Sequence, residues 1–141
     1  MSPHRGRARQ VGDPGAPQRS GYVPPGWPAQ VLPPAIEDWE LSAVAWILGH
    51  GAPEWHLPEY ETLRRHPLML TWWFRQWAQA NLQAARASWQ GLREVQQAPD
   101  PDAHRRHLAA VTAVGRDLRA QAHAAELIER AMLGELFVPR L

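Results

Sequence analysis

The run PLMLTWWFRQWAQANLQAARASWQGLREVQQA, residues 67–98, decides the fold. It opens on Pro67, which suits the first turn of a helix, and meets no further proline before Pro99; Gly91 is its one weak point. At about 100° per residue, Leu70, Phe74, Trp77, Asn81, Ala84, Ser88, Leu92 and Val95 share one face. Trp73 flanks that stripe on one side, while Ala78, Leu82, Ala85 and Trp89 widen it on the other. The opposite face, which carries Trp72, Arg75, Gln79, Gln83, Arg86, Gln90 and Arg93, is polar and basic beyond its first turn. The pattern predicts one long amphipathic helix over 67–98.

Downstream, Gln97-Ala98-Pro99-Asp100 is a short connection, and a helix restarts with Asp100 as its N-cap and Pro101 at its first position. This helix is expected over 101–133, stopped by Gly134. Its stripe reads Val111, Val114, Leu118, Ala122, Ala125 and Met132, mostly three and four residues apart as in a helix–helix seam. Two helices of some 30 residues, each about 45 Å long and joined by so few residues, fold back antiparallel. Alanine, serine and glycine along the seam allow the backbones to approach closely.

Upstream, a helix is expected over 37–49. Asp38 is its N-cap and Glu40 lies in its first turn. Leu41, Val44, Ile47 and Leu48 form its apolar side, with Trp39 and Trp46 beside them. It ends at His50-Gly51-Ala52-Pro53, where Gly49 or Gly51 can take a left-handed cap. A short helix follows over 58–66, starting on Pro58 and leading into the long one. Residues 1–34 are rich in Pro, Gly, Arg and Gln and read as a disordered arm, locally extended at Pro24-Pro25-Gly26-Trp27-Pro28 and Leu32-Pro33-Pro34. The expected architecture is therefore all-α. A disordered arm over 1–34 precedes a helical domain over 35–134, in which a long antiparallel hairpin is covered at its Trp-rich end by one or two shorter helices. Residues 135–141 form a tail.

Composition narrows the function classes. A chain of 141 residues has room for one domain. It contains no cysteine, which excludes disulfide and thiolate chemistry and points to a reducing, cytoplasmic setting. Its apolar runs are far shorter than the roughly 20 residues of a membrane span. Every basic residue is arginine, a bias we read as that of a GC-rich genome. The arm and residues 67–98 are net positive, and residues 36–66 are net negative.

No chemistry-bearing constellation stands out. A Gly-rich phosphate loop, a nucleophile elbow and a His-Glu-x-x-His motif are all missing, and no cofactor is expected. His104 with His107, and His123 with Glu126, are turn-spaced pairs, but they lie some 30 Å apart on one helix and cannot share a metal. Of the eight tryptophans, Trp73 and Trp77 read as core of the seam. Trp72 lies across the helix from that stripe. It either packs beneath Trp39 or Trp46 or stays exposed for a partner. Arg75, Arg86 and Arg93 form an arginine row that, with Arg5, Arg7, Arg9 and Arg19 of the arm, suits phosphates; the plainer reading is an ordinary solvated face. Asn81, central in the stripe, is placed either to fix register and partner choice or simply to face a water.

Leu32-Pro33-Pro34, Glu37-Asp38-Trp39-Glu40, Ala45-Trp46-Ile47-Leu48 and Leu63-Arg64-Arg65-His66-Pro67 together resemble a group of uncharacterised short helical actinomycete proteins. Those proteins share a Pro-Pro lead-in, an Asp-Trp-Glu helix start and a Leu-Arg-Arg-His-Pro junction before a long helical pair. The resemblance covers residues 31–135. It implies a fold style and a bacterial source, and carries no activity or site residues. The functional expectation is a non-enzymatic interaction or regulatory protein whose hairpin meets a protein partner or a second copy. The alternative is accessory nucleic-acid binding. Trp72, Arg75, Arg86, Arg93 and Asn81 are the candidate interaction residues.

Overall fold

A computed structural model describes residues 21–94 and 100–140. The chain forms α1 (Trp39–His50), two 3-10 turns (Pro53–His56 and Pro58–Tyr60), α2 (Glu61–Arg64), α3 (Pro67–Glu94) and α4 (Pro101–Met132), with no strand among the described residues. The fold is all-α, and the packing of α3 on α4 is its largest contact. The expected extension of α3 to residue 98, the Gln97–Pro99 connection and the first 20 residues of the arm lie outside the described residues.

The ends of α4 follow the local chemistry read from sequence. Asp100 Oδ1 accepts from the Asp102 amide at 3.0 Å and caps the first turn. At the other end Gly134 adopts φ +93°. Its amide donates to Ala131 O and that of Glu135 to Arg130 O, both at 3.0 Å, closing a Schellman stop. The start of α1 differs from expectation. Asp38 is left-handed (φ 62°) and its side chain caps nothing. The Leu41 amide instead bonds Asp38 O at 3.0 Å, so a backbone turn starts the helix. Gly51 is extended rather than left-handed. Its missing Cβ serves a different purpose: the Trp55 ring lies directly against it.

The short helix expected over 58–66 is broken into the second 3-10 turn and α2. A further 3-10 turn over Pro53–His56, between the two expected helices, pushes Trp55 into the core, where its ring lies 6.2 Å from Phe74 and 5.6 Å from Trp77. Arg64 ties the segment together by donating from Nη1 to Trp55 O at 2.6 Å and Leu57 O at 2.8 Å. Leu57 O also accepts from the Tyr60 amide at 3.0 Å, while Trp55 O lies at the break between the two 3-10 turns, where the guanidinium satisfies it.

Two corrections concern packing. First, the apolar row Leu70, Phe74 and Trp77 is not the α4 seam beyond its buried end. α1 and the Trp55 turn cover it, with Trp46 edge-on to Phe74 at 5.4 Å. The flanking row Ala78, Leu82, Ala85 and Trp89 faces α4, while Ala84 and Ser88 are exposed. On α4, Val114 is likewise exposed at 51% and the seam position is Gly115. A helix has several adjacent rows, and once the front row is covered the second long helix packs on the next. Second, the described part of the arm is an ordered strap. Val31 is buried and Trp27 packs on Trp39 at 5.8 Å and on Phe137 of the tail at 6.0 Å. Trp27 Nε1 donates to Val31 O at 2.9 Å, and the Leu32 amide donates to Ser42 Oγ at 2.9 Å. Prolines limit the strap's freedom before folding, and the Trp27 indole, buried Val31, the Leu32–Ser42 bond and the contact of His123 with Pro25 O hold it.

Candidate functional site

α3 has three rows and the fold covers two. The third carries Met69, Trp72 and Trp73, exposed at 56%, 48% and 45%. It continues through Gln76, Ala80, Gln83, Ala87 and Gly91, all exposed. The charged residues of α3 are Arg75, Arg86, Arg93 and Glu94, so from Met69 to Gly91 this row is uncharged over about 33 Å. Trp73, expected in the seam, is therefore on the outside, because α1 and α4 leave its side of the helix bare. The packing of Trp72 beneath Trp39 or Trp46 does not occur either. Trp39 pairs with Trp27, Trp46 with Phe74, and no ring pairs with Trp72 or Trp73 among the described residues.

The arginine row does not hold together. Arg75 turns into the α3–α4 interface, its Nε 2.7 Å from Glu129 Oε2 and its Nη2 3.5 Å from Oε1. The Nε–H is not aimed at the carboxylate, so the contact is an ion pair rather than a bidentate fork. Arg93 lies over the Trp89 ring at 4.8 Å. Arg86 alone of the three points to a different neighbourhood, the hollow described next. A phosphate-tracking reading of the row loses Arg75, and the arginines of the arm lie outside the described residues. Asn81 is half-buried, and its Nδ2 donates to Trp77 O at 2.8 Å on its own helix, with no polar contact across the seam among the described residues. Thr71 is the buried polar group that sequence reasoning passed over. Its hydroxyl donates to Pro67 O at 2.7 Å and touches Met132 Sδ at 3.3 Å, a pairing that helical spacing alone does not reveal.

Beyond Leu82 the two long helices enclose an open hollow of about 430 Å³, with Leu82, Ala85, Trp89, Val111 and Gly115 along it and Arg86, Arg116 and Arg119 around it. Arg116 and Arg119 drew no attention in the sequence; their one-turn spacing on α4 matters only once α3 brings Arg86 opposite.

Among the described residues no three His, Asp or Glu side chains are grouped to hold a metal ion, and no helix is long and apolar enough to cross a membrane. An ion pair at the C-terminal end of α4 perturbs both of its partners. There a hydrogen bond from Arg130 holds the Glu135 carboxyl below its ordinary range, aided by the charge attraction and opposed by desolvation, with 2.5 Å between Arg130 Nε and Glu135 Oε2. Compared with protein families, with curated proteins and with solved structures, the chain matches none.

Proposed function

We propose that this protein is a non-enzymatic interaction protein that docks a helix on the uncharged outer row of α3, and that the docking helix is the same row of a second copy. The observation that carries the reading is the adjacent pair Trp72 and Trp73, with Met69, left half exposed on a face without charge. Exposed aromatic anchors clustered on one face are the usual energetic centre of a protein interface. An isologous pair must be self-complementary. If two such rows run antiparallel about a two-fold axis at Ala80, Trp73 of one meets Ala87 of the other, and Met69 meets Gly91. Large side chains then fall opposite small ones, no like charges meet, and the pair of hairpins becomes a four-helix arrangement. The absence of cysteine suits a reducing compartment such as the cytoplasm.

Size exclusion with light scattering on the full chain at tens of micromolar tests this. A dimer is expected. Both the pair Trp72→Ser with Trp73→Ser, and Ala87→Glu alone, are expected to yield monomers with unchanged helical circular dichroism. A wild-type protein that stays monomeric overturns the self-docking reading.

A further inference from the structure

We infer that the hollow between α3 and α4 is a binding site for a small amphipathic anion, an apolar chain of medium length ending in a carboxylate or phosphate. The site is separate from the Trp72 row and does not depend on it.

Three observations converge. The first is space. Below Leu82 the seam is filled by side chains, but from there the helices leave about 430 Å³ open. That is the size of a pocket for one small molecule rather than a groove for a docked helix. Along α3 it runs from Leu82 to Gln90, about 12 Å.

The second is charge. Arg86 on one wall and Arg116 and Arg119 on the other line this single hollow, and no carboxylate lines it. Among the described residues none of these three is ion-paired, whereas Arg65, Arg75, Arg105 and Arg130 each have an acidic partner. Three guanidinium groups around one hollow with no carboxylate in its lining make the local field positive, which favours an anion. Their planar forks match a carboxylate or phosphate, while Leu82, Trp89 and Val111 offer apolar surface to the rest of the molecule.

The third is Gly115. Glycine in a helix interior is destabilising relative to alanine. A Cβ at this position would meet nothing within 4 Å, so close packing does not require glycine here. Its effect is to keep the hollow open at a seam position where a larger side chain fits.

Calorimetric titration of the full chain with decanoate, below its micelle concentration, tests the site. Decyl phosphate is the second anion and octyl glucoside the uncharged amphiphile. Saturable binding of at least one anion, one per chain, is expected, with octyl glucoside weaker by about tenfold or more. Arg116→Gln with Arg119→Gln is expected to weaken anion binding by a similar factor. Gly115→Leu, which fills the space, is expected to abolish binding while the thermal midpoint holds or rises. Each of three results overturns the inference: no saturable binding of either anion, equal binding of octyl glucoside, or undiminished binding by the arginine variant. If Gly115→Leu loses its helical signal, the exposed arginine pair decides alone. Dimer formation is read separately, on the Trp72 face, so the failure of one proposal leaves the other standing.

Discussion

Gly26 holds φ +95° with its α-carbon against the His123 ring, and His123 Nε2 lies 3.3 Å from Pro25 O. A methyl group at 26 meets both a disfavoured backbone and an occupied space. Gly26→Ala is therefore expected to cost about 1–2 kcal/mol, measured as a lower urea midpoint, with the Trp27 near-ultraviolet signal lost first. Phe74 is fully buried beneath Trp46, Trp55 and Trp77, and Phe74→Ala is expected to cost roughly 3–5 kcal/mol by the same assay. The tail supplies a pH dependence. Because the folded state lowers the Glu135 pKa, its contribution is full above the ordinary carboxylate range and is lost as pH falls through the lowered value. Acidification should release Phe137 from Trp27, visible as a shift of the Phe137 ring protons in NMR. In Glu135→Gln that acid-dependent shift is expected to be absent. The pair lies on the surface, so global stability should hardly register the change.

At the scale of the element, α3 shows how far a helical pattern can be read. Its start, its length through Glu94 and its amphipathic character follow from Pro67 and the spacing of apolar residues. The choice of seam does not. Leu70, Phe74 and Trp77 are the most apolar row, and a long partner helix is the natural occupant until α1 and the Trp55 turn are seen to cover it. The assignment of Arg75 fails for the same reason. On a wheel it joins Arg86 and Arg93, but a rotation of the seam by one row turns it toward Glu129, 54 residues away. Both side chains are largely shielded, at 25% and 18% exposure, so losing one partner leaves the other poorly solvated. Arg75→Ala is expected to destabilise by about 1–3 kcal/mol, discounted for the remaining exposure, and Arg75→Met with Glu129→Leu to recover most of it in thermal melts.

Across the whole molecule, burial is lopsided. The largest fully buried side chains, Phe74, Ile47, Leu70, Ile128 and Thr71, all lie where α1, the strap, the start of α3 and the end of α4 meet. The far half has only the α3–α4 seam and the hollow. Native-state hydrogen exchange is therefore expected to show protection near the global limit around Leu70–Ala78 and Ala124–Ala131, falling steadily from Leu82 toward Glu94 and from Leu118 back toward Pro101. Uniform protection along α3 would contradict this. The strap closes the buried end over a long sequence separation, Pro25 against His123 and Trp27 against Phe137, and its composition alone reads as disorder.

The sequence by itself determined the bounds of α1 and α4 to within a residue or two, the start of α3 at Pro67, the Asp100 cap, the Gly134 stop and the hairpin. Each depends on spacing, capping and turn chemistry among residues close in the chain. Tertiary structure alone decided which row of α3 meets α4, that Trp72 and Trp73 stay outside, that residues 21–34 are ordered, and that Arg86 faces Arg116 and Arg119. Those outcomes depend on which distant surface reaches a given face first, and a helical period specifies the faces of a helix without assigning their occupants.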